Sequence, residues 1–183
     1  MSTVTDFYKA AQTLGFGKKY SFRVINWDNG PMGSFNQDQL LYIESLSIPS
    51  RKTNTTTVPY KAFDFIVPTN ASFPENNHWR VTFVSDNSLL IRSLFEQWSN
   101  KLYDPVTNVS TLVANDFAPC NLTIEVLDDT DSVARKYKLY GVFPVLVETA
   151  DYSISESTAV SKLPVTLAFQ YFDNLQHGSI KVR

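Results

Sequence analysis

Most of this chain is written in period two. In "YSFRVINW" (20–27) Tyr20, Phe22 and Val24 fall on one side, and in "LLYIESLSI" (40–48) Leu40, Tyr42, Leu46 and Ile48 do the same, with Glu44 as the exception. "YKAFDFIV" (60–67), "HWRVTFV" (78–84), "LTIEVL" (122–127), "RKYKLY" (135–140) and "VTLAFQYF" (165–172) continue the alternation. Successive side chains of a strand point to opposite faces, so this pattern describes sheets with one buried and one polar face. So many alternating segments in one chain fit two stacked sheets or one sheet curled into a small barrel. "DDTD" (128–131) reads as the tip of a hairpin joining two of the strands.

A single long segment keeps a different rhythm. "SDNSLLIRSLFEQWSNKLY" (85–103) sets Ile91, Leu94, Phe95, Trp98 and Leu102 at helical spacing, with Ser85 or Asp86 as N-cap and Asp104-Pro105 as the stop. The expected fold is therefore mainly β: an antiparallel β-sandwich or small barrel with one flanking amphipathic α-helix, whose apolar stripe covers an opening. A weaker N-terminal helix is expected from about Thr5 to Leu14. "PSRKTNTTTVP" (49–59) and "DPVTNVSTLVANDFAPC" (104–120) read as long irregular connections, which in compact domains are usually functional or ordered by partners. With 183 residues and no linker, charge run or repeat, the chain is expected to form a single domain, 1–183. Its core runs from about 20 to 173, between an N-terminal extension and a short C-terminal tail.

"YGVFPVLVE" (140–148) is a strand broken in its middle. Proline cannot donate to a ladder, and glycine weakens a strand unless another backbone comes close. Gly141 and Pro144 therefore mark a bend or an ended pairing.

Chemistry is sparse. A net charge of −2 argues against a protein that grips nucleic acid. Cys120, the single cysteine, reads as a reduced, buried thiol. His78 and His177 have no partner at metal-ligand spacing. "GFGKK" (15–19) follows no strand and lacks the phosphate-loop ending. "DDTD" lacks the alternating ligands and turn glycine of a calcium loop, and Glu148, Asp151 and Glu156 show no spacing that favours glycoside hydrolysis. Neither enzyme activity nor a metal or cofactor is expected. The glycosylation sequons at Asn54, Asn70, Asn108 and Asn121 are expected to be chance. No apolar leader or membrane-length run is present, so synthesis in the cytoplasm and no membrane partner are expected. Trp79, Phe83, Phe169 and Tyr171 fall on apolar strand faces and Trp98 on the helix stripe, where core packing explains them as well as sugar stacking would.

The order of these elements resembles the tail tube proteins of contractile-tailed bacteriophages from about Tyr20 to Asp173. The resemblance rests on Trp79, Val81, Thr82 and Asp86 followed by Phe95 and Trp98; on Gly141, Phe143 and Pro144; and on Val165, Thr166, Leu167 and Tyr171 of a closing strand. It implies a ring of six copies whose sheets join into one barrel around a lumen. Rings stack into the conduit through which the genome leaves, placing the protein in the virion tail. The implied partners are further copies of the chain, the tail sheath protein, a baseplate tube initiator and a tail terminator, with DNA passing without specific binding. On this reading the 141–144 break turns the chain from the lumen sheet toward loop 149–162. The 49–59 loop, with Arg51, Lys52, Asn54 and Thr56, becomes a ring-to-ring contact. Glu125, Asp128, Asp129 and Asp131 become candidates for an acidic lining, which Lys136 and Lys138 oppose. Proline at Leu167 is expected to block assembly. A baseplate tube initiator of the same fold, and a carbohydrate- or receptor-binding sandwich module, remain as alternatives.

Overall fold

A computed structural model describes residues 21–28, 33–73, 78–107, 109–110, 120–128, 130–149 and 160–175, together with Val4, Lys9 and Gln12. Those three isolated residues are helical, and the rest of the helix expected over Thr5–Leu14 lies outside the described residues. Two four-stranded antiparallel sheets form the body. The first orders its strands β1 (Phe22–Trp27), β8 (Asn121–Leu127), β9 (Val133–Tyr140) and β12 (Tyr171–Leu175). The second orders β10 (Phe143–Val147), β11 (Lys162–Ala168), β5 (His78–Val84) and β2 (Ile43–Leu46). Alternation works as expected: in β5 Trp79, Val81 and Phe83 are buried, as are Leu163, Val165 and Leu167 in β11.

Helix α2 (Leu90–Leu102) closes an opening of this sandwich with Ile91, Phe95 and Trp98, all buried. Trp27 is the hub of the core, its ring centroid 4.9 Å from Phe35, 5.9 Å from Phe95 and 6.0 Å from both Trp79 and Phe83. One side chain thus joins the first sheet, the second sheet and the helix. Asp86 caps α2 from outside: its carboxylate accepts from the Leu90 amide at 2.9 Å and the Ile91 amide at 3.3 Å. Partial burial opposes ionisation, but these bonds and one from the Ser88 hydroxyl hold Asp86 below the usual carboxylate range. The formal N-cap is Leu89, in the left-handed region at φ 54°.

Several sequence expectations need correction. The 40–48 segment is not one strand. Asn36 and Gln39 form a reciprocal capping box, at 3.0 Å each way, that starts a short helix α1 (Gln37–Leu40) before β2. The 49–59 connection is not irregular: Lys52–Tyr60 is strand β3, paired with β4 (Phe63–Ser72). The 60–67 segment contains the Lys61-Ala62 turn between them. Two short strands, β6 (Tyr103–Asp104) and β7 (Val109–Ser110), pair within the 104–120 connection, of which 108 and 111–119 lie outside the described residues.

The broken strand is a crossing between sheets. β9 ends at Tyr140 in the first sheet, and β10 begins at Phe143 in the second. The closing segment 165–172 crosses back in the same place, from β11 to β12 through Phe169-Gln170. The Gln170 amide donates to the Tyr140 carbonyl at 2.9 Å, clamping the two crossings together. Gly141 sits at φ 62°, and a Cβ there would lie 2.6 Å from Cγ of Gln170. That contact supplies the close approach the glycine required. Pro144 lies on the edge strand β10, where a ladder tolerates it. Leu167 lies on β11 between Pro144 and Trp79, so proline there would break an internal ladder and the fold with it. It cannot report on assembly as expected.

The outer face of the first sheet carries paired charge. Glu125 is 4% exposed, with Arg23 Nε at 2.7 Å and Lys136 Nζ at 3.2 Å. Burial raises its pKa, but the hydrogen bonds from Arg23 and then Lys136 outweigh this and hold the carboxyl below its usual range.

Two outcomes follow. Gly141→Ala forces a side chain into the left-handed region and against Gln170, and should cost about 2 kcal/mol in urea denaturation. For Glu125 the folded pKa is depressed, so its stabilisation is complete well above its ordinary value of 4.5 and is lost as pH falls through the lower folded value. Glu125→Gln should therefore flatten the fall in denaturation midpoint between neutral pH and about pH 3.

Candidate assembly surfaces

The β3–β4 ribbon is the most exposed apolar feature among the described residues. It forms its own two-stranded sheet, hydrogen-bonded to no other described strand. Opposite residues in its register are Tyr60 with Phe63, Val58 with Phe65 and Thr56 with Val67, and these pairs share one face. Pro59 with Asp64 and Thr57 with Ile66 occupy the other. The first face is apolar along most of its length, yet Val58, Tyr60, Phe63, Phe65 and Val67 are 41 to 72% exposed. An isolated hairpin is marginal in water. Covering five such side chains would be worth on the order of 5 kcal/mol.

The ribbon's base is polar and self-satisfied. Asn54 Nδ2 donates to Asn70 Oδ1 at 3.0 Å and to Ser72 Oγ at 3.2 Å. Two of the sequon asparagines thus bond each other across the strands. Lys61 at the tip holds φ 55°, a conformation unusual outside glycine. Of the expected contact residues, Lys52, Asn54 and Thr56 lie on β3 and Arg51 just before it. Tyr60, Phe63 and Phe65, which the alternation over 60–67 puts on the face expected to be buried, are instead exposed at the distal end of the ribbon. The alternation marks a face that no other described strand covers.

Sheet edges form a second class of surface. β1 and β12 bound the first sheet, and β10 and β2 the second, and no other described strand pairs with their outer edges. The row Arg23, Glu125, Lys136 crosses the first sheet, with Asp173 opposite Lys138 and Tyr171 opposite Tyr140. The Tyr140 and Tyr171 rings stack at 4.6 Å, and Lys138 Nζ lies 4.9 Å from the Tyr140 ring.

The acidic candidates separate by geometry. Glu125 is buried between two cations, whereas Asp128 folds the hairpin tip. Its Oδ1 accepts from the Thr130 hydroxyl at 2.7 Å, the Thr130 amide at 2.8 Å and the Ser132 amide at 2.9 Å, and the Thr130 hydroxyl most of all holds its pKa low. Asp131 adopts φ 58° in that turn, and Asp129 lies outside the described residues.

The signature residues do not converge on a cleft. Trp79, Val81, Phe95, Trp98 and Leu167 are core, Asp86 caps the helix, Gly141, Phe143 and Pro144 make the crossing, and only Tyr171 is well exposed. Trp79, Phe83, Trp98 and Phe169 are buried, which removes them as a sugar-stacking platform. Cys120 is buried, and that burial, helped by Asp28, pushes its thiol up to about 12. Glu148 is tied to Arg80 at 2.8 Å, and Asp151, Glu156 and His177 lie outside the described residues. Among the described residues no three His, Cys, Asp or Glu side chains gather at metal-binding distance, and no helix is long and apolar enough to cross a membrane.

Comparison with known proteins agrees with this picture. A family model described as phage tail tube protein matches residues 19–174. A chain of the sheath–tube complex of an extracellular contractile injection system, PVC, superposes with a TM-score of 0.61 at 11% identity, covering 96% of this chain and 99% of that one. A chain of the six-fold symmetrised baseplate of the anti-feeding prophage gives 0.60 at 14% identity, covering 96% and 97%. A chain of the PVC sheath/tube terminator gives 0.58 at 13%, covering 87% and 96%. No curated protein sequence matches. With the family model spanning the whole two-sheet body, the chain belongs to the phage tail tube protein family, and its role is structural.

Proposed function

We propose that this protein forms six-membered rings that stack into the inner tube of a contractile tail, the conduit for DNA ejection. The carrying observation is the combination of open edges on both sheets with a ribbon whose apolar face no described element covers. Both are liabilities in a solitary domain, and both are removed by association. In a ring, β12 of one copy continues into β1 of the next, a head-to-tail contact that closes by rotation. Six-fold symmetry is supported by the symmetrised baseplate that contains a chain of this fold.

The first sheet lines the bore in this arrangement, because its two edges flank a polar face. A DNA conduit must not hold phosphate. Arg23 and Lys136 are neutralised by Glu125, and Lys138 lies across from Asp173, so the face offers few unmatched cations. Asp128 and Asp131 add negative charge at the hairpin tip. The outward partner is the sheath, with a tube initiator at the baseplate and a terminator at the far end. The similar chains in baseplate, sheath–tube and terminator assemblies support these partners.

Electron microscopy of purified protein on a nucleating template should show hollow rings and tubes with six-fold end views. Solitary globules at every concentration would overturn the proposal. Tubes of the native chain should release DNA at low salt, whereas Glu125→Gln tubes, with Arg23 and Lys136 unmatched, should retain it until salt is raised. Equal retention by both would remove the first sheet from the bore.

A further inference from the structure

β1 and β2 are edge strands of different sheets, and they lie on the side of the sandwich opposite the crossings at Gly141 and Gln170. Between them runs a groove of about 640 Å³, lined by Phe22, Val24 and Ile25 on one wall and by Leu41, Ile43 and Leu46 on the other. Arg23 and Glu44 also line it, but both are already matched, Arg23 with Glu125 and Glu44 with Lys162. What the groove offers a further partner is apolar, and Leu41 at its rim is 81% exposed.

The chain itself supplies an occupant. Of residues 1–20, Val4, Lys9 and Gln12 are described, and all three are helical and exposed. At 3.6 residues per turn they fall within one arc of about 140°. The side opposite that arc carries Phe7, Ala10 and Leu14 in the sequence. A helix that is exposed on one side and apolar on the other needs a surface to cover.

Reach and length agree. Residues 15–21 separate Leu14 from Phe22 and span at most about 25 Å when extended, and Phe22 is itself part of the groove wall. A helix of about ten residues is about 15 Å long. The stretch Phe22–Ile25 runs for about 13 Å beside it. The match to the tail tube family begins at residue 19, so the segment lies outside the body that the family shares.

We propose that residues 4–14 fold back as a helix into the β1–β2 groove of their own copy, setting Phe7, Ala10 and Leu14 against Phe22, Leu41 and Ile43. Seated there, the helix covers the outer edge of β1, which would otherwise invite pairing with any extended chain. The ring reading joins that same edge to β12 of the next copy, and one edge cannot hold both. The segment is therefore a latch, closing the edge in a single copy and leaving it as a ring forms. The latch rests on the tube reading, whereas the seat in the groove does not.

Disulfide trapping in the full chain tests the seat. Phe7→Cys with Leu41→Cys, oxidised at concentrations where copies are single, should close a bridge within the chain. It should do so at least about tenfold faster than Phe7→Cys with Val106→Cys, a 90% exposed site beyond α2. Equal rates, or bridges only between copies, would overturn the seat. Phe7→Asp tests the latch, because it sets a charge against the groove and leaves the two-sheet body alone. The near-ultraviolet dichroism of the buried Trp27, Trp79 and Trp98 should be unchanged. The lag before rings appear without a template should shorten by at least about tenfold. The oxidised Phe7→Cys, Leu41→Cys chain should stay out of rings until it is reduced. An unchanged lag, or rings from the oxidised chain as readily as from the reduced one, would overturn the latch. A native chain that never forms rings, with the bridge within the chain still closing, would instead overturn the tube reading and leave the seat standing.

Discussion

The ring contacts of Trp27 fix where everything else lies. From the first sheet this side chain reaches Trp79 and Phe83 of the second, Phe95 of α2, and Phe35 of the segment before α1. Burying these rings removes a large apolar area from water and sets the separation of the two sheets. The core is complete once those contacts are made. Among the described strands, the outer edges of both sheets and the apolar face of the ribbon lie outside that core.

How much of this was legible in the sequence depends on what each residue contacts. Trp79, Val81, Phe83, Phe95 and Trp98 are marked by spacing, because each sits on an element that buries one face along its own length, at period two in β5 and at helical period in α2. The β8–β9 hairpin was visible because Asp128 and its neighbours form a turn from local chemistry. Helix α1 was hidden: Leu40 and Tyr42 have the parity of a strand, and only the Asn36–Gln39 capping box, three residues apart, reverses the choice. The second crossing, at Phe169-Gln170, has no glycine or proline to mark it. It packs against Gly141 of the first crossing, a contact no local pattern records.

The same limit separates the fold from the assembly surfaces. Alternation in Val58, Tyr60, Phe63, Phe65 and Val67 says that one face seeks apolar company, but not whether that company is in the same molecule. Read as a core strand, the segment gave the right face and the wrong partner. Arg51, Lys52, Asn54 and Thr56, chosen for their polarity, turned out to occupy the base of a strand pair whose apolar end lies beyond them. Identity of 11 to 14% alongside TM-scores of 0.58 to 0.61 fits this division. A core of this kind accepts many apolar substitutions if volume and patterning persist.

The ribbon leaves the body at one end only. In a column of such copies all facing one way, one terminus would display arms and the other would not. Such a column would be polar, with unlike ends.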